Sequence, residues 1–372
     1  MIKVAEAISD TNVGGAGVLL FNRLNHTDKR RFKTTVILPK GSSLQPRFRK
    51  IGIDTVCIDG GRDSSFDIIG VLSSCLAISR IKPDIINCHA SLNTRIAALL
   101  MGVPIRIYTR HCVYPIGKPF TYEIVRKAFG ALTDLLSAGI IAVADKAKED
   151  LVAMGADGRK IKVIINGSEQ IERLDARERK NIRAKLGIKE ADTVVSIFAR
   201  LEKCKDHECF LRAARILSKK GGYKFLIVGS GSLERRLKLL RMKMGLEKEV
   251  IFTGFVEDIT PYMNVTDINV NCSVGTETSS LALSEGMSLG IPCVASNYGG
   301  NPYMVRNGEN GFLYRKGDGK DLAVKIATAK ANAEKLSRGS RERFERELNA
   351  QAMAESTERF YSLMHRHKNP KG

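Results

Sequence analysis

Apolar, β-rich runs alternate with amphipathic helical patterns along all 372 residues. In the first half, residues 3–8, 33–39, 55–58, 84–88, 105–109, 139–143 and 161–165 read as strands. Helical spacing falls between several of them, at 17–24, 66–80, 94–101 and 146–154. The second half repeats the grammar, with strands at 193–199, 224–228, 249–252, 268–272, 292–295 and 311–314. Its helices are expected at 206–219, 233–244, 280–289 and 319 to about 333. Strand–helix alternation with short connections predicts parallel βαβ units, hence a doubly wound α/β sheet in each half. Between the halves, residues 166–190 open with Asn-Gly and continue as a charged stretch, which predicts an inter-domain segment.

Length agrees with two domains, because a single core does not grow to 372 residues. No apolar run reaches the roughly 20 residues of a membrane-spanning helix, and Asp10 and Asn12 interrupt the opening strand before a signal core forms. The eight cysteines are scattered, which predicts reduced thiols and a cytoplasmic protein. Cys88-His89 and His111-Cys112 juxtapose metal-ligand types, but neighbours on a strand point to opposite faces and no CxxC or HxxxH spacing occurs. No metal site is expected. The net charge of +20 is spread over both halves and calls for a polyanionic partner: nucleic acid, an anionic membrane surface or a phosphorylated substrate. Nucleic acid is the weakest of the three, with 6% aromatic residues and no recognition motif.

Candidate chemistry concentrates between Arg200 and Asp318. A strand delivers Arg200, with Lys205 five residues on; a planar fork and a compact ammonium together suit a diphosphate. The run KFLIVGSGSLERRL contains a tight turn at Gly229-Ser230-Gly231. It is no dinucleotide fingerprint, because Glu234 stands where a third glycine would be. The glycines either let backbone approach a flat base or simply make a strand-to-helix turn. Farther on, Glu277 and Glu285 stand eight apart, around Thr278, Ser279, Ser280 and Leu281. Ser279 and Ser280 are good helix N-caps, and the amides behind them form an anion site.

The ordered set of these pieces resembles retaining glycosyltransferase family 4. The set comprises R-L-x3-K, the VGSGSLERRL turn, VIFTGFVEDITPYM, TDINVNCS, E-x7-E and GMSLGIPCVASNYGG followed by NGENGFLYRKGD. The resemblance extends less tightly to Gly14–Gly17, to Tyr108-Thr109-Arg110-His111 and to the turn ending at Asn166-Gly167. It implies the GT-B fold, two Rossmann-like domains facing a deep cleft. Residues 1–168 would form the acceptor domain, 190–349 the donor domain, and a helix at about 350–372 would cross back to the first. It also implies roles. Arg200 and Lys205 bind the donor diphosphate and stabilise the leaving group. Glu277 contacts the transferred sugar, and Thr278, Ser279, Ser280 and Leu281 bind the donor. Glu285 holds the ribose hydroxyls, and Gly229, Gly231, Phe255 and Val256 frame the base. Gly14, Gly15, Gly17 and Asn166 approach the donor from the first domain, His111 lies at the reacting sugar, and His89 serves the acceptor. Two departures stand out. Thr278-Ser279-Ser280-Leu281 replaces a Gly-Phe-Gly-Leu pattern, and Asp206 follows the motif lysine where glycine is usual.

The implied reaction is sugar transfer with retention from a UDP-sugar, or a GDP-sugar as the rival, with no cofactor and no metal. The acceptor would be an anionic or lipid-linked glycan of the cell envelope, such as lipopolysaccharide. Basic charge on the first domain fits peripheral docking at the inner face of an anionic membrane. The segment 113–129 either lies at that surface or forms a buried helix. A nucleotide-sugar epimerase or hydrolase on the same fold is the enzymatic alternative.

Overall fold

The computed structural model describes residues 1–11, 14–60, 67–89, 91–112 and 121–368. It divides into two compact units, Met1–Gly167 with Ala350–Gly372, and Ser168–Asn349.

The first unit carries strands β1 (Ile2–Ile8), β2 (Phe32–Pro39), β3 (Asp54–Ile58), β4 (Ile85–His89), β5 (Ile105–Arg110), β6 (Gly139–Ala142) and β7 (Ile161–Val163). They form one parallel sheet in the order β3-β2-β1-β4-β5-β6-β7. Its helices are α1 (Gly15–Asn25), α2 (Gln45–Lys50), α3 (Ile68–Ile81), α4 (Leu92–Leu100), α5 (Glu123–Leu136) and α6 (Asp145–Ala153). Strand order runs outward from β1 to β3 and then reverses at β4. Right-handed crossovers therefore put α3, α4 and α5 on one face of the sheet, and α3 packs on α4 and α4 on α5.

The second unit begins with α7 (Ala176–Lys185) and continues β8 (Thr193–Phe198), α8 (His207–Ser218), β9 (Tyr223–Val228), α9 (Glu234–Lys243), β10 (Val250–Gly254), α10 (Thr260–Asn264) and β11 (Ile268–Asn271). It closes with α11 (Leu281–Ser288), β12 (Cys293–Ser296), α12 (Asn301–Met304), β13 (Gly311–Tyr314), α13 (Gly319–Ala331) and α14 (Ala333–Arg343). The parallel order is β10-β9-β8-β11-β12-β13. Strands such as Val194–Ile197 are buried along their length, as a sheet covered on both faces requires. The core joins Val195, Ile197, Phe225 and Ile227 to Phe210 and Leu217 of α8. The last helix, α15 (Ala350–Lys368), belongs to the first unit.

Two expectations shift. Residues 169–189, assigned to neither domain by the sequence, belong to the second unit. There α7 buries none of its residues and starts on a capping box, with Asp175 and Glu178 satisfying each other's backbone amides. Leu174 donates its N–H to Asn264 Oδ1 at 2.9 Å, and Arg179 Nε donates to the Asn264 carbonyl at 2.8 Å. Those bonds tie a highly charged helix to the body of the unit. Of the two readings of segment 113–129, the buried helix is not found where the segment is described. Residues 113–120 lie outside the described set, and α5 is a surface helix with Gly130, Thr133 and Leu136 inward and Ile124, Leu132 and Leu135 exposed.

Candidate functional site

In each sheet the strand order reverses between the first strand and its inner neighbour, between β1 and β4 and between β8 and β11. Loops at the carboxyl ends of such strands form the ligand crevice of doubly wound folds. Most of the residues singled out from the sequence collect at these two places.

In the second unit, Arg200 follows β8 as an exposed side chain, and Lys205 ends a single 3-10 turn, Lys203–Lys205. Asp206 is left-handed at φ 43°, a backbone that explains why glycine is usual here and that Asp tolerates. Its carboxylate caps α8 by accepting from the Cys209 amide at 3.2 Å. Lys205 Nζ sits 2.8 Å from Glu277 Oε2, and that oxygen also accepts from Ser273 Oγ at 2.6 Å and Asn271 Nδ2 at 3.1 Å. Burial would push the Glu277 carboxyl up, but the Lys205 ammonium and these hydrogen bonds hold it below its ordinary value. The lysine and the first motif glutamate are thus one ion pair, its carboxylate buried and its lysine half-buried.

Thr278, Ser279 and Ser280 are buried, and Ser280 caps α11 by accepting from the Leu283 amide. Leu281 begins the helix, half-buried. Thr276 is left-handed at φ 54°, strained for a β-branched residue. Gly299-Gly300 packs directly behind this loop. A Cβ on Gly300 would meet the Thr278 carbonyl oxygen at 1.3 Å, and one on Gly299 would meet that of Glu277 at 2.2 Å. Beneath lies a polar layer absent from the sequence reading: Asn301 donates to Ser296, and Ser296 Oγ donates to the Ser273 carbonyl. In the sequence, two successive glycines at the end of GMSLGIPCVASNYGG are the signal for this clamp.

Glu285 is half-buried on α11, with no partner described for its carboxylate among the described residues, and burial pushes it up to about 7. Such a group awaits a hydrogen-bonding ligand. Gly229 and Gly231 serve backbone packing: a Cβ on either would strike the Ala199–Leu201 segment at 2.2 and 2.7 Å. Leu201 N–H donates to the Ser230 carbonyl at 2.9 Å, so the turn buttresses the loop that carries Arg200. Beside it Phe255 is 72% exposed and Val256 half-buried, leaving an aromatic face open.

In the first unit, Gly14 precedes α1 and Gly15 has open space at its Cβ position. Gly17 instead packs on Leu44, whose methyl a Cβ would meet at 2.7 Å. His89, His111, Asn166, Arg23 and Asn87 line one small cavity of about 30 Å³. His89 does not stand alone at a strand end. It is buried, with Nε2 2.9 Å from Glu6 Oε2 and Nδ1 2.7 Å from His111 Nε2. Glu6, at 0% exposure in the first strand, also binds Arg23 at 2.6 Å and accepts from Asn87 Nδ2 at 3.0 Å and the Tyr361 hydroxyl at 2.8 Å. These ion and hydrogen bonds bring it down to about 2 against its burial. Sequence reading passed over Glu6; its only signal was a carboxylate inside the apolar run IKVAEAI.

Known proteins supply the class. The family described as Glycosyl transferases group 1 matches residues 178–346, and Glycosyltransferase Family 4 matches residues 13–169. The chain belongs to glycosyltransferase family 4 and has the α/β GT-B fold. It is 29% identical to the UDP-Gal:alpha-D-GlcNAc-diphosphoundecaprenol alpha-1,3-galactosyltransferase of Escherichia coli, over 68% of this chain and 67% of that protein. It is 30% identical to the amylovoran biosynthesis glycosyltransferase AmsK of Erwinia amylovora, over 54% of this chain and 50% of the relative. The matched stretches thus span about two thirds of the first relative and half of the second. Among solved structures, Anabaena Alr3699/HepE in complex with UDP-glucose superposes with a TM-score of 0.81 at 20% identity, covering 98% of this chain and 100% of that one.

Proposed function

We propose that this chain is a glycosyltransferase that moves a sugar from a nucleotide diphosphate, a UDP-sugar before a GDP-sugar, to a glycan or lipid-linked acceptor of the cell envelope. The observation that carries the reading is the Lys205–Glu277 pair, its carboxylate buried, beside the capped start of α11 at the strand reversal of the second unit. Cleavage at the anomeric carbon leaves negative charge on the departing diphosphate. Lys205, Arg200 and the amide end of α11 offer preorganised positive potential for it. Glu277, fixed by three donors, orients the Lys205 ammonium and accepts from a sugar hydroxyl. Glu285 accepts from the ribose, and Phe255 with Val256 covers the base. Gly14 and Gly15 lead to the phosphates, Asn166 to the donor, and His111 to the sugar. The family relationship and relatives that act in envelope polysaccharide synthesis support this assignment.

With positive charge supplied by side chains, turnover is expected to persist in a chelator and to retain anomeric configuration, read by NMR of the product. A thermal-shift panel of nucleoside diphosphates tests the core claim. A ligand at 100 times its Kd adds about 2.7 kcal/mol of apparent stability, so UDP or GDP should raise Tm. No shift with any nucleotide refutes the reading. Nucleotide release without acceptor would favour the hydrolase alternative.

Peripheral membrane docking of the first unit belongs to the same proposal. On the outer side of α3, Ile68, Ile69, Leu72 and Leu76 are exposed, and α5 on the same face of the sheet adds Ile124, Leu132 and Leu135. Exposed Arg80 and Lys127 flank them. Apolar side chains flanked by cations suit an anionic bilayer surface. No helix of the described residues is long and apolar enough to cross a membrane. Flotation with anionic but not neutral vesicles is expected; absence from both refutes docking.

A further inference from the structure

At the amino ends of its strands, the second unit carries a depression with two lobes, of about 680 and 320 Å³, that share Arg179, Asp267 and Ala333. Both volumes fall in the range of small-molecule sites. Ala176, Arg179, Lys180, Arg183 and Ala184 of α7 line the larger lobe. That spacing is one face of a helix, so the side of α7 that would otherwise meet a core meets this hollow. Thr193 at the start of β8 and Ile268 at the start of β11 stand opposite. The loops carrying Arg200 and Ser273 leave the other ends of these strands. At about 3.3 Å per residue, the six residues of β8 keep roughly 17 Å between the two places. The depression is separate from the crevice at Lys205 and Glu277.

Three guanidiniums meet at the smaller lobe: Arg173 and Arg341 from exposed positions, and Arg179 half-buried. Arg173 donates to the Leu289 carbonyl at 2.7 Å. At the next residue, left-handed Gly290, a Cβ would lie 2.5 Å from Arg341 Nε and 2.9 Å from Ser337 Oγ. A side chain there would push both away; glycine lets them come down beside Arg173. Asn264, itself buried, holds the other wall. Its main-chain carbonyl accepts from Arg179 Nε, and its side chain accepts from the Leu174 amide at 2.9 Å and donates to the Glu172 carbonyl at 2.8 Å. The backbone is thus clamped on either side of Arg173. Two carboxylates line this lobe. Asp267 accepts from the Val194 amide at 2.8 Å and lies 3.7 Å from Arg183, and Glu334 is exposed on α14. Neither forms an ion pair with the three arginines. In accord, burial first, and then the Arg341 and Arg179 cations, lower the Arg173 guanidinium from its ordinary value, the direction like charges impose on one another.

We infer that Arg173, Arg179 and Arg341 form a second anion site, which takes the phosphate group of a small soluble phosphate ester while the larger lobe receives the rest of that molecule. Guanidinium forks bind such oxyanions through paired N–H bonds. Arg173 and Arg179 each use one N–H on a backbone carbonyl, which fixes the group and leaves its other donors for the ligand. Ser337 adds a hydroxyl at the same point. In the larger lobe Ile188 and Ile268 stand with Lys180 and Lys330, a lining for a body with both apolar and polar surface. None of the exposed large apolar side chains among the described residues lines either lobe, so a bilayer would gain little here.

The test is calorimetric titration of the full chain with glycerol phosphate, and separately with UDP, at an ionic strength held constant with chloride. Glycerol phosphate should bind saturably, and Arg173→Gln and Arg341→Gln should each weaken it roughly tenfold or more, the usual loss for a charged hydrogen bond. The same variants should leave UDP binding unchanged, whereas Lys205→Ala should weaken UDP and leave glycerol phosphate unchanged. No saturable heat with glycerol phosphate overturns the inference, as does equal affinity in both arginine variants. Loss of glycerol phosphate binding in Lys205→Ala puts the ester in the nucleotide site and overturns it too. So does flotation with phosphatidate vesicles that Arg341→Gln abolishes, where the soluble ester gives no heat. A chain that ignores UDP but binds glycerol phosphate speaks against the proposed function alone, so the two failures are told apart. Should Arg173→Gln fail to fold, Arg341→Gln, at an exposed side chain, decides.

Discussion

Replacing Lys205 by alanine should damage turnover and stability through separate routes, and the structure allows them to be pulled apart. The lysine is the cationic half of a pair whose carboxylate is buried. Removing one partner of a buried pair costs ~3–5 kcal/mol. Here Ser273 and Asn271 still donate to Glu277, and the Lys205 side chain is 22% exposed, so the cost falls to about 2 kcal/mol. For a unit of this size that lowers Tm by about 4–8 °C. The pH dependence carries a sign. In the wild type the Glu277 carboxyl is held low, so its contribution is present above the ordinary carboxylate range and lost as pH falls through its lowered value. Without Lys205, burial raises it, the folded state binds the proton more readily, and the Tm deficit should shrink between about pH 7 and pH 5. Lys205→Ala with Glu277→Gln should recover the Tm, because no buried charge is left unpaired. Turnover should stay ~10²–10³-fold down in both variants, the usual loss for one contact to developing negative charge. Calorimetry and nucleotide-release kinetics on the single and double variants decide it. An unchanged Tm in Lys205→Ala refutes the buried-pair argument, and recovered turnover in the double variant refutes the diphosphate role.

Other outcomes follow from the same geometry. Glu285 is raised to about 7 by burial, so its folded state loses stability as pH climbs from the ordinary carboxylate range toward that value. Glu285→Gln should therefore exceed wild type in urea melts at pH 8, by on the order of 1–3 kcal/mol, and converge with it near pH 4; a constant difference contradicts this. Gly300→Ala drives a methyl into the Thr278 carbonyl and should cost several kcal/mol or displace the loop, seen as lost nucleotide-induced thermal shift even where the unit still folds. Phe255→Ala, at an exposed side chain, should leave Tm unchanged and weaken nucleotide binding several-fold, the loss of about 0.5–1.5 kcal/mol of stacking; calorimetric titration reads it.

Periodicity carried most of the architecture, because strand and helix patterns are local. The buried strands at 193–199 and the helix after Lys205 were visible in the order of residues alone. The short helix α2 and the surface helices α5 and α7 were not: α7 has no apolar stripe and is held by a capping box and by Asn264, 85 to 90 residues away in the chain. In the candidate site, Lys205, Glu277 and Glu285 stood out by spacing. Their partnership did not, since the 72 residues separating Lys205 from Glu277 say nothing of a 2.8 Å contact. The glycines divided in the same way. Gly229, Gly231 and Gly17 carry a packing role that the order of residues does not show: their missing side chains make room for Ala199–Leu201 and Leu44. Glu6 was illegible because its meaning comes from Arg23, His89, Asn87 and Tyr361, drawn from three other elements.

Tyr361 has a consequence for the order in which the protein is made. Its hydroxyl completes the shell of Glu6, and Glu358 accepts from the Asp28 amide, 330 residues upstream. The second unit is continuous in sequence and can close as soon as it leaves the ribosome. The first unit, translated earlier, waits with the Glu6–Arg23 pair lacking its aromatic lid until α15 emerges. The older half of the nascent chain is thus the later one to mature, and premature stops anywhere after Asn349 would spare the younger half while leaving the older one unfinished.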